Sequence, residues 1–297
     1  MNTLQRAEVD RFLSSGNHDD ILFTIWPGDS VVSRAINGDA ALRCALISAV
    51  LERAEQAAVS ACQEHSGLDI NAREKFAPMV QGFFPQKEQA VILNMLERSV
   101  VFLTPATINT VLGKAAWLKT AWDLANIYLA SLDAKPLSES APDIVGLSEE
   151  TTCFVSMKYF SNNNPLEDYV IHEAAHIFHN CKRETIGLRE TRRREWLLEI
   201  DYAKRETFAY ACEAYSRILE LGETRSARSR LLSEHAEEPM PPDDRVEGAE
   251  YVDILREAVV ARNGWKRILE RCSPSVDQFG IRINASNSSI GTGLLNK

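Results

Sequence analysis

The segment His172-Glu173-Ala174-Ala175-His176-Ile177-Phe178-His179 holds three of the six histidines in this 297-residue chain. Its first five residues follow the pattern H-E-x-x-H. Helix positions four apart lie on the same face, so His172 and His176 can point their imidazoles at one ion. Zinc takes histidine nitrogens at about 2.0–2.1 Å, and Glu173 is placed to reach a water beside that ion. The spacing therefore predicts a Zn²⁺ site on a helix.

The residues around this segment favour a helical setting. The apolar side chains fall on one face and the three histidines on the other; the apolar ones are Val170, Ile171, Ala174, Ala175 and Phe178. This division predicts an amphipathic helix over residues 165–180 that turns its histidines toward a cleft, with Pro165 opening the helix. An ordinary helix with two unrelated histidines is the alternative interpretation.

A catalytic zinc site needs a third protein ligand and keeps one position open for water. One helix cannot surround its own ion, so the third ligand must come from elsewhere. The candidates are His179, Glu195, Glu206 and Glu213. Glu206 is favoured because it lies at the start of a strongly helical segment, residues 205–215.

Each of the other three candidates has a simpler interpretation. Glu195 follows a run of arginines that is not typical of a buried ligand helix. Glu213 fits an ion pair with Arg217, four residues on, on a solvated helix face. His179 stands one turn beyond His176, where it better suits the wall of a cleft or a group that supports a ligand.

The two helical segments together resemble those of the gluzincins, zinc metallopeptidases with two histidines from H-E-x-x-H and a glutamate from a later helix. In several gluzincin families that glutamate opens a Glu-x-Phe-Ala stretch, which Glu206-Thr207-Phe208-Ala209 matches. The resemblance implies that His172, His176 and Glu206 bind zinc and that Glu173 is the general base.

The resemblance covers roughly residues 114–221 and implies a zincin-like core. A strand over residues 151–157 would then be the edge strand that holds a peptide substrate by β-pairing, and the helix over 114–132 would be the backing helix. The chain departs from the family at Tyr210, where many gluzincins have an acidic residue that holds the first histidine. A phenol at this position either makes the same hydrogen bond to the first histidine or polarises the substrate carbonyl, and Tyr210 is an expected catalytic residue. The other candidate donors to the oxyanion are Tyr202, Tyr215 and His179.

Hydrophobic periodicity along the whole chain predicts a mainly α-helical α+β protein with a small β-sheet and extra N- and C-terminal helices. Helices are predicted at 40–62, 86–99, 114–132, 203–221 and 249–271, and strands at 151–157 and, weakly, 195–201. Loops are predicted at 134–149 and 222–247, followed at the end by an irregular tail from residue 273. The expected domains are an N-terminal helical region (1–110), the metallopeptidase core (111–222), and a polar linker with one helix and a flexible tail (223–297).

The composition narrows the range of functions. The net charge is −9, with 45% hydrophobic and 25% charged residues, as in ordinary globular proteins. Nucleic-acid binding is not expected, because phosphate contacts need a basic surface and the one dense basic run, 192–194, sits among acids. No segment approaches the ~20 consecutive apolar residues of a membrane span. With no secretory signal and no C-x-x-C pair, we expect a cytoplasmic protein with reduced thiols.

The expected function is therefore a zinc-dependent peptidase acting on a protein or peptide substrate, with a metal-activated water and Glu173 as general base. The alternative is a catalytically inactive or regulatory protein-interaction module with a structural metal site. Such a site fills its fourth position with a protein ligand and does not need Glu173. A metal-dependent nuclease or nucleotide enzyme is disfavoured, because Mg²⁺ sites use clustered carboxylates.

Overall fold

A computed structural model describes residues 1–19, 24–58, 71–141, 144–161, 164–191, 194–237, 241 and 243–274 of the protein. The described chain is mainly helical with one small sheet, as the sequence patterns predicted. Its helices are α1 (Thr3–Ser15), α2 (Val31–Ala58), α3 (Ala72–Phe83), α4 (Gln86–Leu96), α5 (Ile108–Lys114), α6 (Leu118–Ser131), α7 (Tyr169–Asn180), α8 (Arg205–Leu221), α9 (Arg225–His235), α10 (Gly248–Val260) and α11 (Gly264–Cys272). Its strands are β1 (Val100–Leu103), β2 (Gly146–Glu149) and β3 (Thr152–Ser156). None of these helices is long and apolar enough to cross a membrane.

The three strands form one sheet in the order β1-β3-β2. β1 runs parallel to β3, and β2 runs antiparallel to β3. Val101 of β1 and Leu147 of β2 lie opposite Phe154 of β3. The predicted strand at 151–157 is therefore present as β3, but its expected place at the edge is wrong, because β1 pairs with its far side. The outer strands β1 and β2 are the edges of the sheet, and the edge beside α7 is β2, which lies in the segment predicted to be a loop. β2 is short and half polar, so it is recognisable as a strand only through its partner.

The sheet separates two hydrophobic clusters. Successive side chains of a strand point to opposite faces, and β3 accordingly sends Cys153 and Val155 into one cluster and Phe154 into the other. The first cluster is built mainly by α3, α4, α7, α8, α10 and α11, and the second by α1, α2, α5 and α6. α6, the helix predicted at 114–132, therefore packs on the face of the sheet opposite α7.

The start of α7 is determined by a side-chain cap. Asp168 accepts a hydrogen bond from Ile171 N at 3.3 Å, which satisfies one of the free amides of the first turn. Pro165 lies ahead of the helix and does not open it, in contrast to the prediction. Asp168 is itself buried and forms an ion pair of 2.5 Å with Lys75 of α3. The cap thus ties the histidine helix to the N-terminal part of the chain.

The close contact between α7 and α8 follows from small and apolar residues. Ala174 and Ala175 are fully buried on α7, as is Phe208 on α8. Segment 195–201 is not a strand; its backbone instead bonds to the end of α7, with Leu198 N donating to Phe178 O at 2.7 Å. This bond ties the segment that precedes α8 to the end of α7.

The C-terminal part contains more helix than its polar sequence predicted. The supposed loop at 222–247 includes α9, whose N-cap Thr224 accepts from Ala227 N at 3.1 Å. The predicted helix at 249–271 is two helices, because Asn263 caps a new helix by accepting from Lys266 N. Residues 59–62 of the first predicted helix, basic residues 192–193, prolines 239 and 242, and the tail from 275 lie outside the described residues.

Candidate metal centre

α7 places the two histidines of H-E-x-x-H side by side. The Nε2 atoms of His172 and His176 are 3.2 Å apart, so both rings direct the same nitrogen at one point. This arrangement follows from the helix, because Val170, Ala174 and Phe178 are fully buried on the opposite face.

The third donor comes from the first turn of α8. Glu206 Oε2 lies 3.3 Å from His176 Nε2 and 3.8 Å from His172 Nε2. Among the described residues, these three side chains are the one group whose His, Cys, Asp or Glu donor atoms converge on a common point. Glu195 is elsewhere, about half exposed and paired with Lys182 at 2.8 Å.

The distances fit a tetrahedral zinc ion. Ligands at about 2.0–2.1 Å from a tetrahedral centre lie about 3.3 Å from one another, and the three separations here are 3.2, 3.3 and 3.8 Å. Two imidazoles and one carboxylate also form a donor set that zinc accepts readily. His172, His176 and Glu206 would therefore hold such an ion with little rearrangement.

Glu213 supports the first histidine from behind. His172 Nδ1 donates to Glu213 Oε2 at 3.0 Å, while Asp168 N donates to the other carboxylate oxygen at 2.5 Å. Glu213 is buried, so the predicted ion pair on a solvated face is wrong; Arg217 instead donates to Pro165 O. The acid that holds the histidine lies seven residues after Glu206 rather than four. Carboxylates in this position fix the ring orientation of histidine ligands.

The second histidine has a support of its own. His176 Nδ1 lies 3.0 Å from His179 Nε2, and His179 Nδ1 lies 3.1 Å from Asn180 Oδ1. Burial, helped by the positive charges of His176 and Arg205, lowers the pKa of His179 to about 3. The neutral ring can therefore accept from His176 through Nε2 and donate to Asn180 through Nδ1, which leaves His176 Nε2 free to bind an ion.

The electrostatics of the centre favour a positive charge between the histidines and Glu206. Burial alone would lower the pKa of His172, but hydrogen bonds with Glu206 and Glu213 outweigh it and raise this pKa to about 10. Burial would likewise raise the pKa of Glu206, but the two histidines hold it well below its usual range. Either a proton or a metal cation between the histidines and Glu206 can supply this positive charge.

Glu173 lies in the wall of a cleft beside these donors. The cleft has a volume of about 470 Å³; it is lined by residues 144–148, Glu167, Tyr169, His172, Glu173, His176, Asn180, Glu206, Tyr210, Glu213, Asp243 and Arg245. β2 comes close to Glu173, since a Cβ on Gly146 would lie 2.8 Å from Glu173 Oε1. Burial raises the pKa of Glu173, while the positive charge of the histidines and a hydrogen bond with Ser148 oppose the rise.

Of the tyrosines considered, Tyr210 is the one that lines this cleft. Its ring packs edge-on against His172, with centroids 4.5 Å apart. Burial, reinforced by Glu213, raises the pKa of Tyr210, so the phenol stays protonated and able to donate. Tyr215 packs against Trp265 in the core, while Tyr202 is largely exposed beside Arg205.

Asp243 and Arg245 were not among the site residues predicted from the sequence. Arg245 Nη1 donates to Glu206 Oε1 at 2.8 Å, and Asp243 binds the same guanidinium through both carboxylate oxygens. Arg245 thereby holds one carboxylate oxygen of Glu206 and leaves Oε2 facing the histidines. Both residues lie in a short polar stretch with no periodic pattern, so only their contacts identify them.

Comparison of the chain with protein-family models, with curated proteins and with solved structures finds no match in any of the three.

Proposed function

We propose that the protein is a zinc-dependent peptidase with a zincin-like core of the gluzincin type. The observation that carries the proposal is the convergence of His172, His176 and Glu206 in a cleft whose wall contains Glu173. The metal donors, a carboxylate base and a strand edge occur together in this cleft, and a zinc-dependent peptidase uses such groups to activate water and to hold an extended substrate.

The residues of the cleft can be given roles in hydrolysis. Zinc held by these three donors would supply Lewis-acid activation of a water molecule and of the peptide carbonyl. Glu173 accepts a proton from the attacking water and delivers it to the leaving amine. Tyr210, protonated and on the cleft wall, donates a hydrogen bond to the oxyanion of the tetrahedral intermediate.

β2 offers a place for the substrate backbone. Ser156 N donates to Val145 O at 2.9 Å, so Val145 belongs to a hydrogen-bonded pair of the antiparallel ladder. Such pairs alternate along the ladder, and Gly146 and Ser148 therefore turn their backbone groups away from β3. An extended peptide can pair with these groups and lie across the cleft beside Glu173.

The catalytic interpretation is better supported than a structural zinc site. A structural site fills all four positions with protein ligands, whereas the cluster found in the described residues has three donors. Glu173 would also have no role in a structural site, yet it is a buried carboxylate in the cleft wall.

Metal content and a single substitution test the proposal. We expect about one zinc per chain by elemental mass spectrometry, retained in Glu173→Gln and lost in His172→Ala. Peptide cleavage, followed by mass spectrometry on a mixed peptide library, should fall at least about hundredfold in Glu173→Gln. Glu184→Gln, at an exposed position after α7, is the matched control. A zinc-free protein, or full activity in Glu173→Gln, would overturn the proposal.

A further inference from the structure

A second cavity adjoins the metal donors. Its volume is also about 470 Å³, and it shares His176, Asn180, Glu206 and Arg245 with the first cleft. The residues that line the second cavity alone are His179, Tyr202, Ala203 and Arg205. A substrate bound along β2 can therefore pass the metal donors and extend into this cavity.

Arg205 is the distinctive group of the second cavity. It is the first residue of α8, next to Glu206, and its guanidinium lies over the Tyr202 ring at 5.2 Å from the centroid. Its Nε is buried without a hydrogen-bond partner among the described residues, and no carboxylate of that part of the chain lies within ion-pair distance. Buried polar groups are nearly always hydrogen-bonded, so this donor calls for an acceptor outside the described residues, either a water or a ligand group.

The other charges in the cavity are already balanced. Arg245 is bound by Asp243 and Glu206. Glu206 is the only carboxylate among the lining residues of the described chain, and its oxygens face Arg245 and the histidines. Arg205 therefore presents an uncompensated positive charge beside the metal donors. A planar guanidinium held in place by stacking is well suited to bind a carboxylate through two parallel hydrogen bonds.

We propose that the cavity at Arg205 is a specificity pocket that binds a carboxylate of the peptide substrate. This inference rests on the peptidase proposal and adds the class of substrate to it. Two sources of the same chemistry are possible: the side chain of an Asp or Glu near the scissile bond, or the C-terminal carboxylate of the peptide.

Binding of matched ligands tests the pocket without requiring turnover. The probes are four dipeptide hydroxamates, which anchor at zinc, with Glu or Gln as the terminal residue and with a free or amidated C-terminus. Their dissociation constants would be measured by calorimetry on the full chain loaded with zinc. We expect one of the two carboxylates to tighten binding about tenfold to a hundredfold, as for other hydrogen bonds to charged groups. If Glu binds more tightly than Gln, the pocket binds a side-chain carboxylate; if the free C-terminus binds more tightly than the amide, it binds the C-terminal carboxylate.

The protein variants then locate the effect. Arg205→Met keeps the length of the side chain and should abolish the preference, leaving the affinity for the neutral ligand unchanged; Arg205→Lys should retain part of it. Arg230→Met, at an exposed arginine of α9, is the matched control. Equal affinities for all four ligands, or a preference that survives Arg205→Met, would overturn the pocket. A protein that shows the preference but cleaves no peptide would keep the pocket and overturn the peptidase proposal.

Discussion

The support of His172 by Glu213 leads to a quantitative prediction for zinc affinity. Glu213 accepts two hydrogen bonds, from His172 Nδ1 at 3.0 Å and from Asp168 N at 2.5 Å. Glu213→Gln keeps the shape of the side chain but has one acceptor oxygen in place of two. Its amide nitrogen must then face either the imidazole N–H or the backbone N–H, and one of these donors loses its partner.

The expected size of the effect follows from the burial of this pair. Removal of such a supporting partner weakens metal binding by about 10- to 100-fold, or about 1.4–2.7 kcal/mol. We expect Glu213→Gln to lie toward the upper end of this range, because Glu213 is only 2% exposed and water cannot readily replace the lost acceptor. Zinc should still bind, since all three donors remain.

Competition with a chromophoric zinc chelator measures the affinity directly. Glu220→Gln, on the same helix but 39% exposed beside Arg217, should leave the zinc dissociation constant unchanged. Thermal unfolding of the zinc-free proteins reports any general loss of stability and separates it from the metal effect. An unchanged zinc affinity in Glu213→Gln would refute the supporting role and, with it, the metal centre as we describe it.

Three further predictions concern glycines. In Gly146→Ala a Cβ would lie 2.8 Å from Glu173 Oε1. Displacement of this proposed base should reduce kcat/KM in peptide assays about 10- to 100-fold, while zinc content is retained. An unchanged kcat/KM would argue against the role of β2. In Gly82→Ala a Cβ would clash with the Trp265 side chain, and urea unfolding should show that the free energy of unfolding falls by about 1–3 kcal/mol from overpacking. A gain in stability would contradict this helix contact. Gly113→Ala, where a Cβ meets nothing within 4 Å, should instead gain about 0.5–1 kcal/mol from helix propensity, measured in the same way.

The helices that carry the centre could be predicted because their signals are local. His172 and His176 share a face through their spacing alone, and the apolar positions of α7 and α8 follow the helical period. The mainly helical fold and the central strand β3 were accessible from the same kind of pattern. Glu206 could be favoured as a donor, because it opens the next strong helix.

The surroundings of the donors depended on packing between distant segments. On α8, the spacing places Glu206 and Glu213 near one another, but whether that face meets solvent or α7 depends on the tertiary contact. The sequence alone therefore suggested an exposed ion pair for Glu213, whereas the folded chain buries it against His172.

β2 and Arg245 show the limit of sequence reasoning most clearly. A four-residue polar strand has no periodicity long enough to distinguish it from a loop, and pairing with β3 makes it the edge of the sheet. Arg245 lies in a stretch without regular structure, 39 positions from the Glu206 carboxylate that it contacts. Local patterns specify which residues share a face of one helix, whereas contacts between segments far apart in the chain arise only when their apolar surfaces are buried together.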